Sequence, residues 1–178
     1  TIIDVGCGEG YTGRCLKSMG AYKVVGVDVS DKMVECARNA SVKDSGQYHL
    51  VGDALELKKV IVENSARINM MLGAKFDVGV FELAVSIQLF SDMTISDMNK
   101  SFVQIYSLLK PGGHFIFAVP HPSQFHHVNG QEETTGYFTL RDKVISGRMK
   151  TVRGKDIESR VYFKVFEDYT NAIKATGF

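Results

Sequence analysis

Short apolar runs recur along the first 120 residues of the chain. Each is short, rich in β-branched or aromatic side chains, and followed by glycine, an acid or a turn residue, which is the pattern of a buried β-strand. The predicted strands are Ile2–Val5, Lys23–Val29, Tyr48–Val51, Phe76–Phe81 and His114–Val119.

Segments with helical spacing of apolar residues separate these runs. Thr12 and Ser30 are predicted N-caps of the first two helices, because their hydroxyl oxygens accept hydrogen bonds from free backbone N–H groups. The sequence Pro111-Gly112-Gly113 ends the fourth helix. The predicted helices are Thr12–Met19, Ser30 to about Ala40, Leu55–Leu72 and Thr94–Leu109.

This alternation of strands and helices predicts an α/β fold. Continuously apolar strands are buried on both faces, so we expect a mainly parallel sheet covered by helices, which is a doubly wound domain. Ligands of such sheets bind beyond the carboxyl ends of the strands. The glycine-rich stretch after the first strand, Asp28, Asp53 and Glu82 are all predicted at or just after such ends.

The pattern changes after Pro120. Residues 137–166 predict two or three strands with turns at Gly147 and Gly154, and residues 167–176 predict a helix that stops at Gly177. We therefore expect a β-rich insertion placed over the ligand edge of one domain. The expected parts are an α/β core over residues 1–120, a substrate cap over 121–166 and a final core helix over 167–178.

Composition and charge exclude some function classes. Hydrophobic residues make up 44% and charged residues 23% of the 178, as in ordinary globular proteins. The net charge of +1 gives no global attraction to nucleic acid or membrane, and no apolar run is long enough to span a bilayer. Three cysteines without C-x-x-C spacing predict a reduced, cytoplasmic protein.

The predicted insertion is basic. Residues 141–164 hold eight basic and three acidic side chains, a net charge of +5. Such a segment favours an anionic acceptor, or is simply a solvated strand face. Its aromatic residues either line a small-molecule pocket or form a core. They are Phe125, Tyr137, Phe138, Tyr162 and Phe163.

The stretch "IIDVGCGEGYTG" allows three interpretations. A phosphate-binding P-loop needs lysine and a hydroxyl residue where this chain has Arg14 and Cys15, which argues against it. A dinucleotide fingerprint G-x-G-x-x-G uses Gly8, Gly10 and Gly13, with Asp28 as the ribose-binding acid. The third pattern is D-x-G-x-G-x-G, which begins at Asp4.

Asp4 separates the last two interpretations. Its carboxylate lies inside the end of the first strand, where it would repel a pyrophosphate. It suits a ligand that carries positive charge and no phosphate. S-adenosylmethionine has a sulfonium and an ammonium group, and so meets this requirement.

Five elements in order over residues 1–120 resemble the class I S-adenosylmethionine-dependent methyltransferases, of the type 11/12-like small-molecule kind. They are "IIDVGCGEG", "VVGVDVS", "LVGDAL", "FDVGVF" and "LLKPGGHFIFAVP". The family has a Rossmann-like fold, so the resemblance implies S-adenosylmethionine as cofactor and S-adenosylhomocysteine as product. The family's sheet usually has seven strands, and we expect this chain to lack the last two.

The resemblance also implies roles for individual residues. Asp4 would lie near the methionine ammonium and Asp28 would accept the ribose hydroxyls. Asp53 and the Ala54 N–H would bind adenine. Glycine freedom at three positions would let the backbone approach the ligand. The remaining implied contacts are apolar or aromatic. The complete set is Asp4, Gly6, Gly8, Gly10, Asp28, Val29, Met33, Asp53, Ala54 and, beside the sulfonium, Phe81.

Methyl transfer from a sulfonium needs a base only when the acceptor carries a proton. His121, after the fifth strand, and Glu82, after the fourth, are the candidate catalytic residues. Each is otherwise a loop residue, one between prolines and one a solvated charge. His126 and His127 lack the carboxylate or cysteine spacing of a metal site, so no metal is expected.

The resulting prediction is a methyltransferase acting on a small-molecule acceptor, with no membrane or nucleic acid as partner. Three alternatives stay open: a methyltransferase acting on protein or RNA, a nicotinamide-dependent oxidoreductase, and a module that binds S-adenosylmethionine without catalysis. The sequence does not identify the acceptor atom or the oligomeric state. The "FELA" run after the predicted fourth strand argues against methylation of DNA bases.

Overall fold

Five parallel strands form one sheet in the computed structural model, in the order β3-β2-β1-β4-β5. The structure describes residues 1–42, 46–73, 79–122, 139–150 and 154–178. The predicted parallel α/β sheet is confirmed. The strands are β1 (Ile2–Val5), β2 (Val24–Asp28), β3 (Gln47–Val51), β4 (Phe81–Ile87) and β5 (Leu109–Ala118).

Six α-helices lie in the described residues, with short 3₁₀ turns at Ala54–Glu56 and Leu89–Asp92. Ser30 is the N-cap of the second helix, as predicted, and its Oγ accepts from the Met33 N–H at 3.3 Å. Thr12 is not a cap, because Gly10 holds that position. The helices are α1 (Tyr11–Ser18), α2 (Asp31–Ala40), α3 (Leu57–Glu63), α4 (Ser65–Leu72), α5 (Ile95–Leu108) and α6 (Phe166–Thr176).

The chain divides into two compact units. The first contains Thr1–Ile87 and Lys100–Ala118, and so holds the parallel sheet. The second contains Gln88–Asn99 and Val119–Phe178. No helix among the described residues is long and apolar enough to cross a membrane.

Apolar side chains of the central strands form the core of the first unit. Ile3, Val5 and Val25 have no exposed surface. The Phe102 ring of α5 meets Phe115 and Phe117 of β5 edge-on, with centroids 5.2 and 5.4 Å apart. Each such buried aromatic or aliphatic side chain stabilises the fold by roughly 1.5–3 kcal/mol, which fixes the sheet that positions the loops at its edge.

The single helix predicted over Leu55–Leu72 is two helices. Asn64 interrupts it, because its side-chain Nδ2 donates to the Val60 carbonyl at 2.8 Å, and its own N–H reaches the same oxygen at 3.2 Å. Asparagine competes in this way for backbone acceptors and favours helix ends. The prediction of one continuous helix was therefore wrong.

The fourth strand was also predicted in the wrong place. β4 begins at Phe81, where the predicted strand ended, and runs to Ile87. It pairs with β1 through Ile2↔Leu83 and Asp4↔Val85. Residues 76–78 of the predicted strand lie outside the described residues. The pairing with β1, rather than the local apolar pattern, decides which part of this long apolar run forms the strand.

The second unit contains an antiparallel hairpin of β6 (Val144–Lys150) and β7 (Asp156–Tyr162). Gly147 pairs with Ser159 within the ladder, so the turn predicted there was wrong, whereas Gly154, with φ 77°, lies in the connection. Phe163 is 2% exposed and belongs to this unit's core. The other predicted aromatics at 125, 137 and 138 lie outside the described residues.

Candidate functional site

A loop of glycines crosses the carboxyl end of β2. The N–H groups of Gly6 and Cys7 both donate to the Val27 carbonyl, at 2.8 and 3.1 Å, which folds the chain over that strand directly after β1. Gly6, Gly8 and Gly10 have φ of 75°, 51° and 79°, a region that residues with a side chain rarely adopt. The predicted glycine freedom is therefore used at all three positions.

Two of these glycines are required for different reasons. A Cβ on Gly8 would point into open space, with no atom of the described residues beyond its chain neighbours within 4 Å, so its φ of 51° is what requires glycine there. A Cβ on Gly10 would lie 2.9 Å from Cε1 of His49 and 3.1 Å from Cβ of Ala37. Gly8 thus leaves room at the surface, whereas Gly10 permits close packing inside the protein.

Asp4 is a buried carboxylate at the end of β1. It is 1% exposed, and neither of its oxygens has a hydrogen-bond partner among the described residues. Burial, with a smaller contribution from the Asp28 charge, raises the pKa of Asp4 to about 7. An unpartnered buried carboxylate is costly, so Asp4 is the least satisfied polar side chain at this end of β1.

Asp28 joins the glycine loop to α2. One carboxylate oxygen accepts from the Gly8 N–H at 2.8 Å, and the other accepts from the Ser30 N–H at 2.9 Å. Each oxygen has further acceptor capacity, because a carboxylate accepts about four hydrogen bonds. The geometry therefore leaves both oxygens able to bind a pair of neighbouring hydroxyls.

Asp53 follows β3 and caps the 3₁₀ turn, its Oδ1 accepting from the Leu55 N–H at 2.9 Å. This bond uses one oxygen of the Asp53 carboxylate, and no hydrogen bond to the other is found among the described residues. Ala54 beside it is buried. Val29 and Met33, after β2, are 72% and 48% exposed, so apolar surface lies next to Asp28.

Phe81 and Glu82 lie at the amino end of β4, not beyond its carboxyl end as predicted. Phe81 is fully buried. The Glu82 carboxylate pairs with the Lys110 ammonium, which lowers the pKa of Glu82 against the opposing effect of partial burial. Both assignments were wrong, because the strand begins where it was expected to end.

The residues at the carboxyl end of β4 are therefore different from those predicted. Ser86 is fully buried and its hydroxyl donates to the Val5 carbonyl at 2.9 Å, which ties the ends of β4 and β1 together. Gln88 follows the strand with φ 68°. A residue other than glycine in this region is strained, and such strain is frequent at functional positions.

His121 belongs to the second unit. Its exposed ring packs on Phe166, with centroids 5.3 Å apart, at the start of α6. Its catalytic role stays a prediction. Within the described ranges, no group of three or more His, Cys, Asp or Glu side chains is arranged to hold a metal ion. His126 and His127 lie outside those ranges.

Two residues near the glycine loop were not predicted as functional. His49 is 5% exposed in β3, and its Nδ1 lies 4.0 Å from Sγ of Cys7, within the loop. Both are polar side chains inside otherwise apolar or glycine-rich runs, which is the signal that the sequence offered. The proximity of His49 to Cys7 becomes visible only once β3 is paired with β2.

Comparison with known proteins gives the family. Residues 1–160 match the family model described as "Methyltransferase domain", so the chain belongs to this methyltransferase family. The family uses S-adenosylmethionine, the cofactor that the resemblance implied, and the alternative of a nicotinamide-dependent oxidoreductase is not supported.

Individual relatives are more distant. A ribosomal protein L11 methyltransferase from Tolumonas auensis is 35% identical over 57 residues, 32% of this chain and 18% of that protein. The chain thus spans about a fifth of the length of the curated relatives it matches. An S-adenosylmethionine-dependent methyltransferase from Mesorhizobium loti has a TM-score of 0.63 at 22% identity, over 99% of this chain and 73% of its own.

A third similar protein is a Haemonchus contortus phosphoethanolamine N-methyltransferase, solved with phosphomonomethylethanolamine and S-adenosylhomocysteine. It has a TM-score of 0.63 at 24% identity, and the match covers 99% of this chain and 32% of that one. At this level of identity the solved structures establish the fold alone.

Proposed function

We propose that this chain binds S-adenosylmethionine at the carboxyl edge of its sheet and transfers the methyl group to a small-molecule acceptor. The observation that carries the proposal is Asp4. A buried carboxylate without a partner, directly below a loop of positive-φ glycines, suits a ligand that brings a cation and no phosphate. A nicotinamide dinucleotide would bring a pyrophosphate close to that charge.

The neighbouring residues suit the rest of the cofactor. In this proposal Asp4 lies near the methionine ammonium, and Asp28 accepts the ribose hydroxyls with the acceptor capacity that Gly8 and Ser30 leave. Asp53 and the Ala54 N–H bind the adenine edge. The exposed side chains of Val29 and Met33 cover the adenine face.

When bound, the cofactor supplies a methyl group already activated by the sulfonium. The chain's own contribution is then to hold the acceptor in line, which supplies much of the acceleration in such displacements. Phe81 and Glu82 are no longer proposed for the acceptor side, because both lie at the amino end of β4. His121 remains the proposed base for an acceptor that must lose a proton.

A small, anionic acceptor is favoured by the basic segment 141–164, with its net charge of +5. The Haemonchus neighbour, which binds a phosphorylated amine, offers a parallel for this class of acceptor. The relative from Tolumonas is named for a ribosomal protein and favours a protein acceptor instead. This relative is named for a component of the ribosome, so the expectation that nucleic acid is not a partner finds no support.

Calorimetry with S-adenosylhomocysteine tests the cofactor proposal, with NADH as the comparison ligand. Asp28→Ala should weaken S-adenosylhomocysteine binding by about 1.5–3 kcal/mol, the range for hydrogen bonds to charged groups. Asp31→Ala is the matched control, because this exposed acid is the first residue of α2, three positions after Asp28, and its loss should leave affinity unchanged. Equal affinity in folded Asp28→Ala, or preference for NADH, would overturn the assignment.

Transfer from labelled S-adenosylmethionine to three acceptor pools then separates the remaining alternatives. Label in phosphorylated or carboxylated metabolites supports the small-molecule proposal, whereas label in protein or RNA supports a macromolecular acceptor. RNA binding that weakens steeply with salt would indicate phosphate contacts. Cofactor binding without label in any pool would indicate a non-catalytic module.

A further inference from the structure

A row of polar groups lies beneath the glycine loop on one face of the sheet. The strand register places Asp4 of β1 beside Gly26 of β2, and Gly26 beside His49 of β3. Side chains paired in this way project from the same face of a parallel sheet. Gly26 has no side chain, and a Cβ there would lie 2.8 Å from both Cys7 Sγ and His49 Nδ1. These two side chains therefore occupy the space above Gly26.

The hydrogen bonds of His49 define its tautomer. Ser41 donates its only hydroxyl proton to the Ala37 carbonyl at 2.8 Å. The 2.9 Å contact between Ser41 Oγ and His49 Nε2 is therefore one in which the imidazole Nε2–H donates. Nδ1 is then the acceptor nitrogen, and it faces the Cys7 thiol at 4.0 Å.

The surroundings of both groups favour their neutral forms. Burial, followed by the charges of Arg38 and Arg14, lowers the pKa of His49. Arg38 donates to the His49 carbonyl at 2.7 and 3.0 Å, and Arg14 donates to the Glu9 carbonyl at 2.6 Å. Burial, followed by the charges of Asp4 and Asp28, raises the pKa of Cys7 to about 12.

The imidazole of His49 supports two parts of the loop directly. Gly10, the N-cap of α1, packs so closely on Cε1 that a Cβ would lie 2.9 Å away. Cys7 lies between Gly6 and Gly8 and contacts Nδ1, and its Sγ is also 3.7 Å from the Gly8 carbonyl. The ring thus contacts the loop on either side of Gly8, whose N–H is held by Asp28.

We propose that His49 is a positioning residue for the cofactor site: fixed by Ser41, its ring packs against Cys7 and Gly10 and sets the shape of the glycine loop. His49 does not contact the ligand in this proposal. The proposal rests on the proposed binding of S-adenosylmethionine at this loop. It predicts that loss of the ring loosens the loop and weakens cofactor binding in a protein that is still folded.

The matched control is Leu50→Ala, because Leu50 is the next residue of β3, is 4% exposed, and projects from the opposite face. Both His49→Ala and Leu50→Ala create a cavity in the same strand and lower stability. Only His49→Ala should weaken S-adenosylhomocysteine binding in the folded protein, by roughly tenfold or more. His49→Asn keeps a polar group near the position of Nδ1 and should recover part of that loss.

Amide hydrogen exchange provides a readout that needs no ligand. The Gly8 and Gly10 amides should exchange roughly tenfold faster in His49→Ala than in the wild type, while the β1 amides do not change, because only the loop opens. Unchanged loop exchange overturns the positioning role whether or not S-adenosylhomocysteine binds. Failure of the wild type to bind it, with faster loop exchange in the variant, overturns the proposed function and leaves the positioning of the loop standing.

Discussion

Each of the two compact units contains a buried aspartate, and the two aspartates differ in their hydrogen-bond partners. Asp4 in the first unit is 1% exposed and has no partner for either oxygen among the described residues. Asp168 in the second unit is 2% exposed, and both of its oxygens are used. Oδ1 accepts from Arg141 Nε at 2.7 Å, and Oδ2 accepts from the Val165 N–H at 3.0 Å, at the start of α6.

The nearby Lys164 follows the pattern of Asp168. This buried ammonium donates to the carbonyls of Met93 and Tyr162, and burial still lowers its pKa to about 8. Buried charges that carry structure are paired, since an unpaired one costs several kcal/mol. The proposed function accounts for this contrast: Asp168 stabilises the fold, whereas Asp4 would bind a ligand at the expense of the unliganded fold.

The variant with the largest expected effect on this contrast is Asp4→Asn. It should stabilise the unliganded protein and abolish S-adenosylhomocysteine binding. The pKa of Asp4 is raised from 3.8 to about 7, so its charge lowers stability as pH rises from about 4 to 7. Removing the charge should raise the free energy of unfolding at pH 8 by about 2–3 kcal/mol. A shift of three pKa units corresponds to ~4 kcal/mol, but the gain is smaller because the buried amide of the variant is still unpaired.

Urea unfolding at pH 5 and pH 8 measures this effect. The wild type should be less stable at pH 8 than at pH 5 to an extent that the variant does not show. Equal pH dependence in both proteins would mean that Asp4 is paired in solution. Tight S-adenosylhomocysteine binding by the variant would remove Asp4 from the cofactor site.

Asp168→Asn should have the opposite effect and lower the free energy of unfolding. It removes the charge that Arg141 contacts and one acceptor at the start of α6, so we expect a loss of about 1.5–3 kcal/mol. The Arg141 side chain is 49% exposed and can reach water, which keeps the loss below that of a fully buried pair. The exposed pair Glu158–Arg160, at 3.5 Å, provides the control.

Glu158→Gln should change stability by less than about 0.5 kcal/mol, because exposed ion pairs contribute little. S-adenosylhomocysteine affinity should be unaffected by either change in this unit. A stabilising effect of Asp168→Asn would show that pairing does not distinguish the two aspartates.

The sequence predicted the features that depend on local chemistry. Ser30 as an N-cap, the glycines with positive φ and the alternation of strands and helices all follow from residue type and spacing. It did not predict which part of the apolar run before and after Phe81 pairs with β1, because pairing is a tertiary choice. Phe81 and Glu82 were therefore expected at the carboxyl end of the strand, whereas they lie at its amino end.

The proximity of His49 to Cys7 could not be predicted from the sequence for a similar reason. The strand "YHLV" was predicted, but its neighbours were not. Only the register through Gly26 brings His49 beside Cys7. The sequence likewise shows a carboxylate at the end of a strand, but not that neither of its oxygens has a hydrogen-bond partner among the described residues.

The last prediction concerns the pH dependence of binding. An ammonium group binds the ionised form of Asp4. The pKa of Asp4 is about 7 in the unliganded protein. Binding should therefore weaken as pH falls below about 7, approaching a tenfold loss, or about 1.4 kcal/mol, for each pH unit. Titration of the wild type with S-adenosylhomocysteine from pH 5 to 8 measures it, with Asp31→Ala as a variant that keeps the slope. An affinity independent of pH across this range would mean that the Asp4 charge is not coupled to the ligand.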